Sequence, residues 1–438
     1  MPGPSQIDRI GGPPMLLLAT VLGLGVAQSA EPPADTDTHM GVASCASSVC
    51  HGKLDVQNDR NVWLNEYRVW TRARRHSQAY RLLENEQSRR IAANLGLASA
   101  TTARICLDCH SDNVPRERRG PKFQITDGVS CEACHGGAEN WLESHSEAGT
   151  SHEDNLARGM YPTESPQARA RLCLSCHMGT PEKFATHDIM GAGHPRLSFE
   201  LENFSQNQPA HYEVDDDYRA RKGEIPTFNL WLAGQVESAG KFLQLIRSDY
   251  YSSGGQFPEL AFYDCHACHH PMDDQRWSSA RAGPGIPPGT PRLQHQHLLV
   301  LESITAVLDS PDAAGELRAV AQRFVRAGQS RTDEVRQAAD ALLGWLDRRK
   351  SRWVETTHSS EAIRAVRRAL VRAAADGRMS DYSAAEQVYL ALETLSYASG
   401  DRAALAAALD SLYTEVESDG SFDPTSFAAT AARIRDRF

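Results

Sequence analysis

The carboxy-terminal third of the chain has a regular helical pattern of apolar and polar positions. Apolar side chains recur there every three or four residues, a spacing that places them on one face of an α-helix. Several of these segments begin at Ser or Asp and end just before Gly, and both are helix boundary signals. The segments are LLVLESITAVL, ELRAVAQRFVRAG, DEVRQAADALLGWLDRR, SEAIRAVRRALVRAAADG, SAAEQVYLALETLSYASG and DRAALAAALDSLYTEV. They share no fixed period, so we predict an antiparallel helical bundle over residues 294–438 and not a repeat solenoid.

The region before residue 280 has a weaker pattern and is loop-rich. Helical apolar spacing is confined to stretches such as NVWLNEYRVWTRARRHSQAYRLLENEQSRRIAANLGL and PTFNLWLAGQVESAGKFLQLIRSDYY. The stretch SARAGPGIPPGTPR is rich in Pro and Gly, which is typical of a linker. We therefore predict a mainly α, loop-rich domain over residues 31–280, a linker over 281–293 and an all-α helical domain over 294–438.

Residues 1–30 are predicted to be a signal peptide. Met15–Ala27 is a short apolar run, and small residues follow it near Ser29 and Ala30, as at a cleavage site. The run is too short to span a bilayer comfortably. An uncleaved anchor and a buried helix are the alternatives. We expect a periplasmic or otherwise exported protein with no transmembrane span after the signal is removed.

The bulk composition restricts the class of partner. The 438 residues are 41% hydrophobic and 23% charged, as in a soluble globular protein. The net charge of -10 argues against nucleic acid or an anionic membrane as the main partner. In an exported protein the ten cysteines would first suggest disulfides.

The spacing of the cysteines overturns that expectation. All ten fall into five close pairs, and a histidine follows each pair. Because only 17 of 438 residues are histidine, chance does not explain this pattern. Neither a disulfide framework nor a zinc ribbon requires histidine at that position, and a βαβ context for a thioredoxin-like site is absent. The motifs are Cys45/Cys50–His51, Cys106/Cys109–His110, Cys131/Cys134–His135, Cys173/Cys176–His177 and Cys265/Cys268–His269.

Cysteine pairs followed by histidine are the attachment signature of c-type haem. The two sulfurs form thioethers to one haem, and the adjacent histidine binds its iron. We therefore predict five covalently attached haem c groups, with the five motif histidines as iron ligands. The first motif, CASSVCH, has four residues between its cysteines instead of two. Its longer loop can bulge away from the ring; a disulfide or a single-thioether haem is the alternative.

The order of these motifs resembles the tetrahaem cytochrome c-554 family, whose best-known member accepts electrons from hydroxylamine oxidoreductase. The resemblance covers about Cys45 to His177. It rests on Trp70 followed by a histidine and on GVSCEACHGG with a further histidine ten residues after its own. In that family the first and third haems stack and exchange distal ligands.

This resemblance implies particular distal ligands in the present chain. It implies that His145 completes the haem of His51 and that His76 completes the haem of His135. The second haem of the family is five-coordinate, which implies an open face on the haem of His110. The fifth haem and the helical region are additions to the family pattern. A segment absent from the family could therefore supply a sixth ligand to the haem of His110.

For the haem of His177 we predict His194 as the distal ligand. The glycines of IMGAGHPRLSFEL allow a close backbone approach, and Pro195 stiffens the turn. His211 is the alternative.

For the haem of His269 we predict His297, with His295 as the alternative. His266 lies inside the attachment loop of this haem, and His270 adjoins its proximal ligand. Neither can easily reach the opposite face of the same ring.

These predictions favour an electron carrier acting between redox partner proteins. An iron with two histidine ligands has no vacancy for a substrate, so its chemistry is one-electron exchange. The alternative is an oxidoreductase that acts on nitrite, hydroxylamine or nitric oxide at one five-coordinate haem, that of His110. A third possibility is a subunit of a homo-oligomer or larger redox complex, with the helical domain as its docking surface.

Overall fold

Helix dominates the part of the chain that the computed structural model describes, which is residues 35–54, 64–73, 75–208, 210–212, 214–252, 258–269, 287 and 290–438. Within these ranges β-structure is limited to isolated bridges, such as that between His39 and Arg119. The mainly α prediction is therefore confirmed. The predicted signal peptide, His270 and most of the predicted linker lie outside the described residues.

The helices before residue 250 are short, except for the last of them. They are α1 (Glu66–Ala73), α2 (Ala79–Leu82), α3 (Glu86–Asn94), α4 (Arg104–His110), α5 (Glu132–His135), α6 (His152–Ala157), α7 (Pro166–His177), α8 (His187–Gly191), α9 (Leu201–Asn207), α10 (Asp216–Lys222) and α11 (Thr227–Arg247). Short 3₁₀-helices lie at Val42–Ser44, His76–Gln78, Arg116–Arg118, Ile125–Asp127, Ser144–Ser146, Asp249–Ser252, Leu260–Phe262 and Cys265–Ala267.

The carboxy-terminal region consists of longer helices with clear boundaries. They are α12 (Gln296–Leu308), α13 (Pro311–Ala327), α14 (Thr332–Asp347), α15 (Lys350–Glu355), α16 (Ser360–Ala375), α17 (Tyr382–Ala398), α18 (Arg402–Val416) and α19 (Pro424–Ile434), with 3₁₀-helices at Asp419–Ser421 and Arg435–Arg437. Ser359 and Asp381 cap α16 and α17 by accepting backbone hydrogen bonds. Gly377 and Gly400 follow these two helices with positive φ, as helix stops do.

One large hydrophobic core joins the carboxy-terminal helices to α7 and α11. Its fully buried side chains include Leu174 on α7, Trp231 on α11 and Leu392 on α17. Helix α11, which the sequence assigned to the amino-terminal domain, thus packs on the carboxy-terminal helices, and the described residues between 35 and 438 form one compact unit. In the described ranges, no helix combines the length and apolar character needed to cross a membrane.

A second hydrophobic cluster lies in the amino-terminal region and is much smaller. Its buried members are Leu83, Ala92, Ala100 and Leu107. The motif cysteine Cys106 packs against it. A cluster of this size leaves most of the surrounding loops without an apolar side-chain core.

Candidate haem-binding sites

The five cysteine–histidine motifs are all within the described residues. His110, His135 and His177 are the last residues of α4, α5 and α7. The first motif follows the 3₁₀-helix Val42–Ser44, and the last begins with the 3₁₀-helix Cys265–Ala267. None of the ten cysteines forms a disulfide, so every thiol is available for a thioether bond.

Each motif histidine faces one histidine from outside the motifs. Two imidazoles on opposite faces of one iron have ring centres about 6 Å apart if the metal–nitrogen bonds are about 2 Å long, as at zinc. All five pairs have this spacing, so each fits a haem iron held between two histidines. The pairs and their centre-to-centre distances are His51–His145 (6.0 Å), His177–His76 (6.2 Å), His110–His194 (6.3 Å), His135–His211 (6.2 Å) and His269–His187 (6.1 Å).

The geometry of several paired histidines suits metal binding through Nε2. Where Nδ1 lies against a carbonyl or carboxylate oxygen it donates its proton, which leaves the Nε2 lone pair for a metal. The partners of Nδ1 are Glu66 for His51 (2.9 Å), Ala79 O for His110 (3.1 Å), Trp141 O for His145 (3.1 Å) and Pro195 O for His194 (2.8 Å). Burial lowers the pKa of His135 to about 4, so this imidazole is neutral at neutral pH, as a ligand must be.

The histidine pairs agree with the predicted partner in one case. His145 faces His51, as the resemblance implied. His76 faces His177 instead of His135, because His211 occupies the position opposite His135.

The partners of the second and fifth motif histidines also differ from the sequence predictions. His194 faces His110 and not His177, so a histidine covers the face that the resemblance left open. His187 faces His269 in place of the predicted His297. His297 is instead buried on α12, and burial lowers its pKa to about 4.

His187 was missed because nothing in its local sequence distinguishes it from other histidines. The backbone N–H of His187 donates to Glu259 Oε1 at 2.7 Å, which joins the start of α8 to the segment just before the fifth motif. This contact links residues that are far apart in the chain. Only the tertiary structure brings them together.

The backbone of His76 is held by the start of GVSCEACHGG. Val129 N donates to His76 O at 3.0 Å, and Trp70 Nε1 donates to Val129 O at 3.1 Å. Gly128 has φ +75°, and a Cβ there would lie 2.6 Å from His76 O, so glycine is required. These contacts hold the backbone of His76 beside the third motif, although its imidazole faces His177.

Glu132, within the third motif, anchors the approach to the first motif. This side chain is 2% exposed. Its carboxylate accepts hydrogen bonds from the backbone N–H groups of Met40 (2.6 Å), Gly41 (2.7 Å) and Ala138 (2.9 Å). Because a buried carboxylate needs such donors, the glutamate fixes the first and third motifs relative to each other.

Thiols of different motifs are in contact at two places. The side chains of Cys45 and Cys131 interact with each other, and so do those of Cys109 and Cys176. The first and third attachment sites therefore adjoin, and so do the second and fourth.

Residues 37–136 match the family model of cytochrome c554 and c-prime. This segment is cytochrome c554-like. The resemblance seen in the motifs is thereby confirmed over the first three of them, since the match ends at Gly136. The match supports a multihaem c-type cytochrome of electron transfer with covalently bound haem c. No curated protein matches the chain, and no solved structure does.

Proposed function

We propose that the chain is an exported pentahaem cytochrome that carries electrons between redox partner proteins through five bis-histidine haems. The observation that supports this proposal is the set of five histidine pairs, each with one motif histidine and one partner, at centre-to-centre distances of 6.0–6.3 Å. The ten unpaired cysteines supply the attachment points that five haems need.

The residues of each site have separate tasks in this function. Haem iron supplies reversible one-electron exchange. The paired imidazoles would hold the iron between them. The Nδ1 contacts of His51, His110, His145 and His194 fix the orientation of those four rings. The thiol contacts between motifs favour short distances between neighbouring haems, which electron transfer from one haem to the next requires.

The first and fifth motifs are the best candidates for electron entry and exit. Cys50 and Cys268 are the two exposed cysteines, whereas the other eight are partly shielded. Val49, beside Cys50, is 82% exposed. A haem attached at either end would thus have an edge near the surface, where a partner protein can approach it.

The alternative of a nitrogen-compound oxidoreductase needs an open iron, and the haem of His110 was its candidate. The imidazole of His194 lies 6.3 Å from that of His110. This position is where a substrate would have to bind, so the arrangement favours the carrier.

The test is the ligation state of the irons in the purified full-length protein. We expect five haems per chain, all low-spin and unreactive toward carbon monoxide when reduced. Single His→Ala changes at positions 76, 145, 187, 194 and 211 should each leave one haem high-spin and able to bind carbon monoxide. Electron paramagnetic resonance and difference spectra measure both properties.

His297→Ala is the matched control, because this histidine is also buried but is not a member of the five pairs. It should leave all five haems low-spin. A high-spin haem in the unmodified protein, or one created by His297→Ala and not by His187→Ala, would contradict the proposal.

A further inference from the structure

A single segment, Ala192–Glu200, connects α8 to α9 and carries His194 near its start. We call this segment the strap. It lies outside residues 37–136, the part of the chain that matches the cytochrome c554 family model. The position of the strap decides whether the imidazole of His194 lies opposite that of His110.

Helix α3 holds the first part of the strap. Asn94 Nδ2 donates to Ala192 O at 3.0 Å, and Gln87 Nε2 donates to Gly193 O at 3.1 Å. Both donors are exposed side chains on a helix of the amino-terminal region. These two contacts alone would leave the rest of the strap unsupported.

Helix α17 of the carboxy-terminal region holds the part that follows His194. Arg196 Nη2 and Ser198 Oγ both donate to Glu386 Oε2, at 3.0 and 2.7 Å. The guanidinium of Arg196 also lies 5.3 Å from the ring centre of Tyr382. The side chains of Arg196 and Glu386 are 27% and 16% exposed, so water screens this ion pair only partly.

The same face of α17 holds the end of the strap. Gln387 Nε2 donates to Phe199 O at 3.2 Å, and Thr394 Oγ1 donates to Glu200 Oε2 at 3.0 Å. Phe199 in turn stacks on the imidazole of His177, with ring centres 4.2 Å apart and planes 14° apart. The contacts of α17 therefore extend along the strap from Arg196 to Glu200.

We propose that α17 positions the strap and thereby keeps His194 on the iron of the haem attached at Cys106 and Cys109. The inference rests on the proposed function, because it takes His110 and His194 as the two ligands of that iron. Arg196, Glu386 and Thr394 act as positioning residues for His194, and Arg196 and Glu386 also line a cavity beside His177 and Cys265. The carboxy-terminal helices thus determine the ligation of a haem held by the amino-terminal region.

The test compares three variants of the full-length protein with a control variant on α17. Glu386→Ala/Thr394→Ala removes the side chains that bind Arg196, Ser198 and Glu200. Glu393→Ala is the control, since Glu393 lies on α17 but pairs with Arg402 at 2.9 Å, away from the strap. His194→Ala serves as the reference for complete loss of the ligand.

Carbon monoxide binding to the reduced protein is the main measurement, with haem content and hydrogen exchange of residues 192–200 alongside it. We expect the double variant to keep five haems, to bind carbon monoxide at one of them at least about tenfold faster than the control, and to exchange faster in the strap. The control should match the unmodified protein. Glu386→Gln keeps an acceptor for Ser198 and should give an intermediate rate, which tests the inference even if the double variant folds poorly.

Two failures can be told apart. If His194→Ala opens a haem but the double variant and Glu386→Gln behave like the control, the positioning role of α17 is wrong while the histidine pairing stands. If His194→Ala leaves every haem closed to carbon monoxide, the pairing of His110 with His194 is itself wrong.

Discussion

The amino-terminal and carboxy-terminal regions obtain their interiors in different ways. In the carboxy-terminal region long helices bury large side chains completely, among them Phe324, Trp353 and Phe427. In the amino-terminal region the second hydrophobic cluster has four buried members, and the helices around it are short. The difference indicates that side-chain burial stabilises the carboxy-terminal region, whereas covalent haem and polar anchors stabilise the amino-terminal one.

His39 is a polar anchor of this region that is as deeply buried as Glu132. Its imidazole is 2% exposed and lies between two carboxylates, with Nδ1 2.8 Å from Asp112 and Nε2 2.6 Å from Asp35. Ser130 Oγ also donates to Asp112, at 2.7 Å. The cluster ties the segment before the first motif to the segments around the second and third motifs.

The largest effect should follow from preventing haem attachment. We expect the full chain, made in cells without cytochrome c maturation, to lose amide protection over most of residues 35–212, because too few apolar side chains remain to hold the loops. Helices α12–α19 should stay protected, since their core consists of side chains. Hydrogen exchange with mass spectrometry measures both regions in one sample.

The holo-protein is the control for this comparison and should be protected in both regions. Equal protection of residues 35–212 with and without haem would show that the two regions do not differ in the way proposed.

A cavity in the carboxy-terminal core should have the next largest effect. Phe427 on α19 is 0% exposed, so Phe427→Ala should lower the free energy of unfolding of this region by about 3–5 kcal/mol. Tyr413→Ala on α18 is the matched control. Because Tyr413 is 47% exposed, this change should lower the free energy of unfolding far less. Denaturant titration followed by far-ultraviolet circular dichroism measures the loss.

The haem absorption spectrum of Phe427→Ala should be unchanged under native conditions. A shift to a high-spin spectrum would mean that the haem sites depend on the whole carboxy-terminal core, and not on the strap contacts of α17 alone.

The pH dependence of stability should show a smaller effect that arises from His39. Burial by itself disfavours the imidazolium, but hydrogen bonds to Asp112 and Asp35 outweigh it and raise the pKa of His39 from 6.5 to about 9. The stabilisation of the folded protein by the charged His39 is therefore complete below pH 6.5 and is lost as the pH rises through about 9. At about 1.4 kcal/mol per pKa unit it amounts to about 3 kcal/mol.

The measurement is the free energy of unfolding at pH 6, 8 and 10 for the unmodified protein and for His39→Gln. The free energy of unfolding of the unmodified protein should exceed that of His39→Gln by less at pH 10 than at pH 8. A difference that stays constant over this range would mean that His39 is uncharged in the folded protein.

Helix boundaries were predictable where local signals are strong. Gly377 and Gly400 follow α16 and α17 where the sequence pattern placed them, whereas the caps Ser359 and Asp381 lie one and two residues before the predicted starts. The association of α11 with the carboxy-terminal helices was not predictable, because its apolar surface does not specify which partner covers it. Covalent haem attachment was predictable from the motifs, because an attachment site consists of residues that are close together in the sequence.

The sequence by itself determined the helical class and the five cysteine–histidine motifs, because helix periodicity and the cysteine–histidine spacing are local properties. Only the tertiary structure decided which other histidine faces each of them. His76, His187, His194 and His211 look alike in the sequence, and the partner of each depends on loops that are packed by distant residues such as Glu259 and Glu386. A distal histidine must reach across the whole ring from another segment, so local sequence cannot specify it.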